Sequence, residues 1–595
     1  MSLGRGTRPV RIANCSGFFG DRLSAAAEMV SPGTGSPPID VLTGDWLAEL
    51  TMLILHHQQQ RNPDMGYAHT FLTQMEQVLG TCLDQGIKVV TNAGGLNPAG
   101  CAARLHTIAR RLGLDVRISY LEGDNLLPRM AELGHQMRHL DSGASLTAIP
   151  ITANAYLGGW GIAAALNRGA DVVICPRVTD ASLVVGPAAW WWDWELTDWG
   201  PLAGAVAAGH VIECGTQATG GNYSFYHEIP DRSRPLGFPI AEIRHDGSSI
   251  MTKHADTGGI VNVGTVTAQL LYEIDGPRYL NPDVVSHFDT IRLSQLGADR
   301  VEIHPVIGSP PPRTTKVCVN IDGGFRNQAT FMMVGAGQAD KAAWATQALF
   351  QRLGGVEQFD EVAIRLVEAP SDAAQQEAAT GRLHITVKSS DERLVGRSFR
   401  SAVTELALAN YPGFFVGSPP SDARPFGIFW PALIANELVY PLVVHHDGST
   451  EPVDRYHPSA GDDRTPVDRT PVDRPVELPV VAAGPLIGET LGTYFGARSG
   501  DKGGNANLGV WSADDAGYAW LEQNLSVDAV RRLLGDAGQL DIRRYLLPSL
   551  RAINLVIIGY LGEGVASTTA FDAQAKGLGE FFRSRAWSLG DRPVD

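Results

Sequence analysis

Asp45, Arg177 and Asp180 each stand just past a short apolar run, residues 39–43 for the first and 172–175 for the other two. A carboxylate in that position can act as a general base, and a guanidinium can grip a carboxylate or phosphate through two parallel hydrogen bonds. Asp180 could orient Arg177 or take the proton itself. The plainer alternative is an Arg177–Asp180 ion pair that pins the loop. Asp45 precedes Trp46-Leu47-Ala48-Glu49-Leu50 and has the side chain of a helix N-cap, which is compatible with a second role.

Asn92 opens Asn92-Ala93-Gly94-Gly95-Leu96-Asn97-Pro98. Two glycines let a backbone approach a ligand, and a helix N-terminus aims N–H groups at an anion. Asn92 and the Gly94 and Gly95 amides are thus candidates for anion stabilisation, against a plain strand-to-helix turn. The pattern is neither a dinucleotide fingerprint nor a Walker loop, so no nucleotide is implied. Asn14, at the end of the first apolar run, and Asn154 are further binding candidates. So are Cys214 and Asn222, in a stretch dense with small polar residues, and Lys253 beside His254. Cys214 could be a nucleophile, but its nearest histidines are His210 and His227; a buried structural cysteine is the competing reading. Arg498, Asp501, Lys502 and Asn505 share a glycine-rich segment with charges of both signs, fit for an anionic ligand or simply a hairpin loop.

Metal and cofactor signals are weak. His56 and His57 are adjacent and would point apart on a helix, and no HExxH, paired metal-type cluster or GxSxG elbow occurs. Mg2+ on Asp45, Asp124 or Asp180 has no supporting spacing, and no cofactor is identifiable.

The elements that must position these residues follow from five apolar runs that stop abruptly: 11–14, 39–43, 87–91, 116–120 and 172–175. Helix signals alternate with them, including Asn97-Pro98 as a cap followed by proline at the first helical position. This predicts an α/β module with a mostly parallel sheet and flanking helices, whose polar strand ends converge on one rim, the place where such sheets bind ligands. Strands at 316–321, 330–334, 362–367 and 384–388 and helices at 341–352 and 398–409 predict an α+β subdomain, within about 312–449 of a first module spanning 1–449. Residues 450–480 are rich in Pro, Asp and Arg and carry a short RTPVD repeat, a composition expected of a solvated linker. Residues 481–595 read as a small α+β sandwich, with strands near 492–497, 507–511, 541–546 and 553–560.

A length of 595 residues suits about two to four domains. The formal charge of −16 argues against nucleic acid as a partner. The six cysteines are dispersed, which fits free thiols in a reducing, cytoplasmic compartment. The N-terminus has no apolar leader, and no run approaches the roughly 20 apolar residues of a membrane span. The tryptophans at 190–192 and 194 predict a core or subunit contact, and with the latter a homo-oligomer.

The stretches IANCSGFFGD at 12–21, IDVLTGDWL at 39–47, TNAGGLNP at 91–98, ANAYLGGW at 153–160, ECGTQATGGN at 213–222 and QLLYEI at 269–274 together resemble the acyclic terpene utilisation (AtuA) family. ARSGDKGGN at 497–505 is similar to the ferredoxin-fold module that often follows it. The resemblance implies a place in catabolism of citronellol- and geraniol-type terpenes, where branched acyl-CoA esters are carboxylated, hydrated and cleaved. It implies a coenzyme A thioester as substrate and carries over no residue roles. The expectation is an enzyme performing hydration or carbon–carbon cleavage, with Asp45 and Asp180 as bases and Asn92 and Arg177 as anion stabilisers. The alternatives are a non-catalytic acyl-CoA-binding or scaffolding subunit, and a hydrolase using Cys214.

Overall fold

The first apolar run forms the strand Val10–Asn14, every residue of which is buried. The other four become Val41–Gly44, Lys88–Thr91, Ile118–Glu122 and Val172–Ile174. In the computed structural model, which describes residues 5–31, 33, 35–456 and 489–587, these five lie side by side and parallel. Their spatial order is Val10–Asn14, Val41–Gly44, Lys88–Thr91, Val172–Ile174, Ile118–Glu122. Continuous burial along a parallel strand requires cover on both faces. Helices Ala25–Val30, His69–Gln85 and Pro98–Leu112 contribute to a core that reaches the strands through Leu42, Val89 and Ile174. The nearly wholly buried helices Ser182–Trp192 and Trp199–Ile212 pack against each other and against the same sheet.

The sheet is mixed rather than mostly parallel. Pro239–Ile243, Ser249–Lys253, Arg300–Ile303 and Leu293–Gly297 extend it antiparallel beyond Val10–Asn14, and Leu442–Val444 and Thr450–Pro452 extend it beyond Ile118–Glu122. Short hairpins dictate antiparallel pairing within 239–253, 293–303 and 442–452, while 10–14 with 239–243, 249–253 with 300–303 and 118–122 with 442–444 pair antiparallel across long stretches of chain. No helix among the described residues is long and apolar enough to cross a membrane.

Two details differ from expectation. Asp45 is not an N-cap: the helix begins at Glu49, with Ala48 as its cap. The tryptophan run is used inside the chain, Trp191 donating to the Arg8 carbonyl, Trp192 to that of Ile243 and Trp194 to that of His245. It therefore carries no argument for a subunit contact. Asn97 does cap Pro98–Leu112, accepting from the Gly100 amide at 2.9 Å.

The chain divides into two compact units. One comprises residues up to Asn320, Phe429–Val565 and residues from Asp572; the other comprises Ile321–Ile428 and Ala566–Phe571. The second unit holds antiparallel strands Glu361–Val367 and Thr380–Ser389, the latter paired with Phe325–Val334, and helices Gln338–Arg352 and Phe399–Glu405 over a core that includes Phe331, Leu349 and Phe399. The expected strands at 316–321 and 330–334 are one strand, Thr314–Val334. The RTPVD repeat at 464–473 lies outside the described residues.

Within the first unit, Phe495–Lys502, Asn505–Ser512, Ala552–Ile557 and Ile542–Leu547 form a four-stranded antiparallel sheet in that order. Alternation along its strands separates two kinds of residue. Phe495, Ala497, Leu508, Val510, Ile553 and Leu555 enter this module's own core. Arg498, Gly500, Lys502, Asn507, Gly509 and Asn554 face the other way, toward residues 271–274. There the Glu273 amide donates to Asn507 at 2.8 Å and Asn554 donates to the Ile274 carbonyl at 3.1 Å. Side chains at Gly500 and Gly509 would run into Tyr272 and Leu271.

Candidate active site

The parallel strands end level. Asn14 is in register with Thr43, Gly44 with Thr91 and Thr91 with Ile174. The residues that follow therefore meet at one rim. The Asn92 amide donates to Asp45 Oδ1 at 2.6 Å while its Oδ1 accepts from the Trp46 amide at 2.7 Å. Asp45 Oδ1 also accepts from the Leu47 amide, and Oδ2 receives no hydrogen bond among the described residues.

Arg177 sits beside Asp45 with a buried guanidinium. Its Nη1 donates to Asp180 at 2.7 Å and to the Leu47 and Val178 carbonyls, and its plane lies 4.2 Å over the Tyr156 ring. The Tyr156 hydroxyl donates to Glu49 at 2.8 Å, and Lys316 lies 3.5 Å from the same carboxylate. Asp124 accepts from Asn154 at 2.7 Å and from the Arg177 amide at 3.3 Å, fixing the loop behind the guanidinium.

A second wall comes from Glu213 and Cys214. Asn14 donates to the Ile212 and Glu213 carbonyls at 2.6 and 2.7 Å, tying this wall to the first strand. Gly17 permits the approach: a Cβ there would lie 2.6 Å from the Cys214 carbonyl carbon. The third wall is the face of the small sheet that carries Lys502, with Asp501 at the strand end and Lys576 nearby. These walls enclose one cavity of about 1830 Å3.

The charges inside are mutually dependent. Burial pushes the Asp45 and Glu213 carboxyls well above the usual range, and Asp180 adds to both shifts. Burial and neighbouring acids raise Glu273 to about 7 and Asp501 to about 8. Burial alone would also raise Glu49, but Lys316 and Arg177 hold it down at about 2. Lys502 is held above its ordinary value against burial by Asp275 and Glu273. Burial raises Asp124 to about 7.

These shifts fix a pH dependence. Asp124, Glu273 and Asp501 keep protons in the native chain that the unfolded chain, titrating near 4, has lost. The unfolded state thus binds fewer protons, and stability falls as pH rises through these native values. His210, depressed to about 4, acts in the opposite sense only below about 6.5. The thermal midpoint is expected to be higher at about pH 6.5 than at about pH 8.5; a flat or rising profile in differential scanning calorimetry would contradict the assignment.

Residues 10–445 match the acyclic terpene utilisation family protein AtuA, and residues 490–586 match the AtuA ferredoxin-like domain. The chain belongs to the AtuA family. Comparison with curated proteins and with solved structures finds no match.

Of the sequence candidates, the cavity of this AtuA chain is lined by Asp45, Arg177, Asp180, Cys214, Asn222, Asp501 and Lys502. Asn14, Asn92 and Asn154 lie behind its walls, each bonded as described above. The Gly94 and Gly95 amides are not free for an anion: they donate to the Cys175 and Asn92 carbonyls at 3.1 and 3.2 Å. Lys253 belongs elsewhere, paired with Asp299 at 3.0 Å and bonded to the Thr257 carbonyl. The Arg498–Asn505 segment is a hairpin turning at Gly503-Gly504, the plainer of its two readings; Arg498 does not line the cavity, and Asn505 donates to Asp141 at 3.2 Å. Among the described residues, no group of three or more His, Cys, Asp or Glu is placed to hold a metal ion.

Sequence reading missed Glu49, Tyr156, Glu213, Glu273, Lys316 and Lys576 as members of the site. Glu49 opens the helix that follows Asp45, and nothing beyond that placement marked it in the sequence. Tyr156, Glu213 and Glu273 lie in stretches that carry the family resemblance, which assigns no residue roles, and Lys316 and Lys576 arrive through tertiary packing.

Proposed function

We propose that this AtuA chain is an enzyme acting on a branched or carboxylated acyl-CoA thioester by hydration or carbon–carbon lyase chemistry. The observation that carries the reading is the cavity in which Asp45 and Glu213, both pushed well above the usual carboxylate range by burial, share walls with the Arg177–Asp180 pair. A carboxyl that keeps its proton can act as a general acid, and a neighbouring carboxylate can act as a general base. In a cleavage step, Asp180 removes the proton of a tertiary hydroxyl. The carbon–carbon bond breaks and its electron pair passes to the thioester as an enolate. Asp45 or Glu213 then delivers the proton that forms the acyl-CoA product. Hydration uses the same groups, Asp180 taking the proton of water and a carboxyl protonating the carbon beside the thioester. The cavity exceeds the roughly 300–1,000 Å3 of common small-ligand pockets, which suits an extended thioester.

A hydrolase using Cys214 is disfavoured. Burial, then Glu213 and Glu273, push its thiol well above the usual range, the reverse of what a nucleophilic thiolate needs.

The test is a thermal-shift panel of branched acyl-CoA esters and their free acids, followed by turnover assays on whatever binds. A ligand at about 100 times its dissociation constant adds about 2.7 kcal/mol to folding stability. A selective shift with turnover supports the reading. A shift without turnover supports a binding subunit instead, and no shift with any thioester removes coenzyme A from the account.

A further inference from the structure

Arg498 is 3 % exposed, yet its described hydrogen-bond partner is the neutral Gln217 side chain, and its Nε has no partner. Its guanidinium lies 4.1 Å over the Tyr272 ring. The Lys576 ammonium lies 4.3 Å from the same ring centroid and donates to the Tyr272 hydroxyl. The carboxylate nearest Lys576 is Glu273, at 3.8 Å, outside hydrogen-bond reach. Two cations on one tyrosine, one of them buried without a carboxylate bonded to it, are costly unless something negative joins them. Tyr272, Gln217 and Lys576 line the cavity, and Arg498 lies behind that wall, against Gln217 and Tyr272.

The placement is built in. Gly500 carries no side chain, so the strand can close on Tyr272 and set Arg498 against its ring. Asp572 accepts from the Lys576 and Gly577 amides at 2.9 and 2.7 Å, which fixes the turn that presents Lys576.

We propose that Arg498 and Lys576, seated on Tyr272, form an anion subsite of the cavity that takes an oxyanion of the ligand, a carboxylate or a phosphate. This rests on reading the cavity as a ligand site. It assigns the small module the task of anchoring the ligand, while the proton-transferring groups come from the large one. Charge-assisted bonds to a guanidinium and an ammonium supply both affinity and orientation.

Isothermal titration of the full chain with three probes tests it: a branched medium-chain carboxylic acid, its primary amide, and free coenzyme A. At least one anionic probe is expected to bind wild type about tenfold or more tighter than the amide. Lys576→Gln and Arg498→Gln should each abolish that preference. Lys576 is partly exposed, so its variant retains the fold even if the Arg498 variant does not. Loss confined to the acid identifies a carboxylate, and loss confined to coenzyme A a phosphate. Wild-type binding of both anions by Lys576→Gln would overturn the subsite, as would failure of both to bind wild type better than the amide. No turnover is needed, so absence of lyase activity leaves this result readable.

Discussion

Asp45→Asn is expected to lower kcat by about 10²–10⁴-fold on any thioester the wild type converts, with the thermal midpoint nearly unchanged. Burial and the charges of Asp180 and Glu213 already favour the neutral carboxyl at this position. An amide of the same shape therefore replaces a neutral group by a neutral group, and its oxygen can still accept from Asn92 and the Leu47 amide. What it cannot do is deliver a proton. Steady-state kinetics beside a calorimetric scan separates the two effects. Wild-type turnover in this variant would remove Asp45 from the chemistry and leave Glu213 as the donor.

Arg177→Met should behave in the opposite way, losing about 3–5 kcal/mol of folding stability, the usual cost of breaking a buried ion pair from one side. The guanidinium holds Asp180, two loop carbonyls and the Tyr156 face together, and it is one of the two cations that keep Glu49 ionised. The same substitution would be mild if Arg177 were an exposed substrate clamp, as its loop position in the sequence allows. Urea unfolding distinguishes these cases, and a change below about 1 kcal/mol, typical of a surface pair, would overturn the structural role assigned to it.

The sequence made the five parallel strands legible because each is a short apolar run cut off by polar residues, and that cut is the rim itself. Asp45, Arg177 and Asp180 were visible for the same reason. The antiparallel extensions were not, because residues 239–243 and 442–444 carry no sign of which strand they will meet; pairing over such separations is decided by the sheet already formed. Asn92 has the right neighbourhood but the wrong role: it sits at a strand end yet its amide is consumed in holding Asp45. The glycines after it were read as room for a ligand, and the room is taken by the protein's own carbonyls. The polar density at 498–505 was read as a loop since it looks like one; alternation in a hairpin divides the same residues between two faces. Lys576 has no motif, Glu273 lies in a stretch whose resemblance assigns no role, and the docking of the small sheet on residues 271–274 sets both at the cavity.

That docking has a consequence for the chain during its synthesis. The two strands that cover Tyr272 and Leu271 are encoded long after them, so until they are made this apolar step has nothing to pack against. A nascent chain stalled before residue 495 would present a sticky, acid-lined groove rather than a finished pocket, a surface for chaperones to shield and proteases to find. Completion of the last strands is the step that covers this apolar surface.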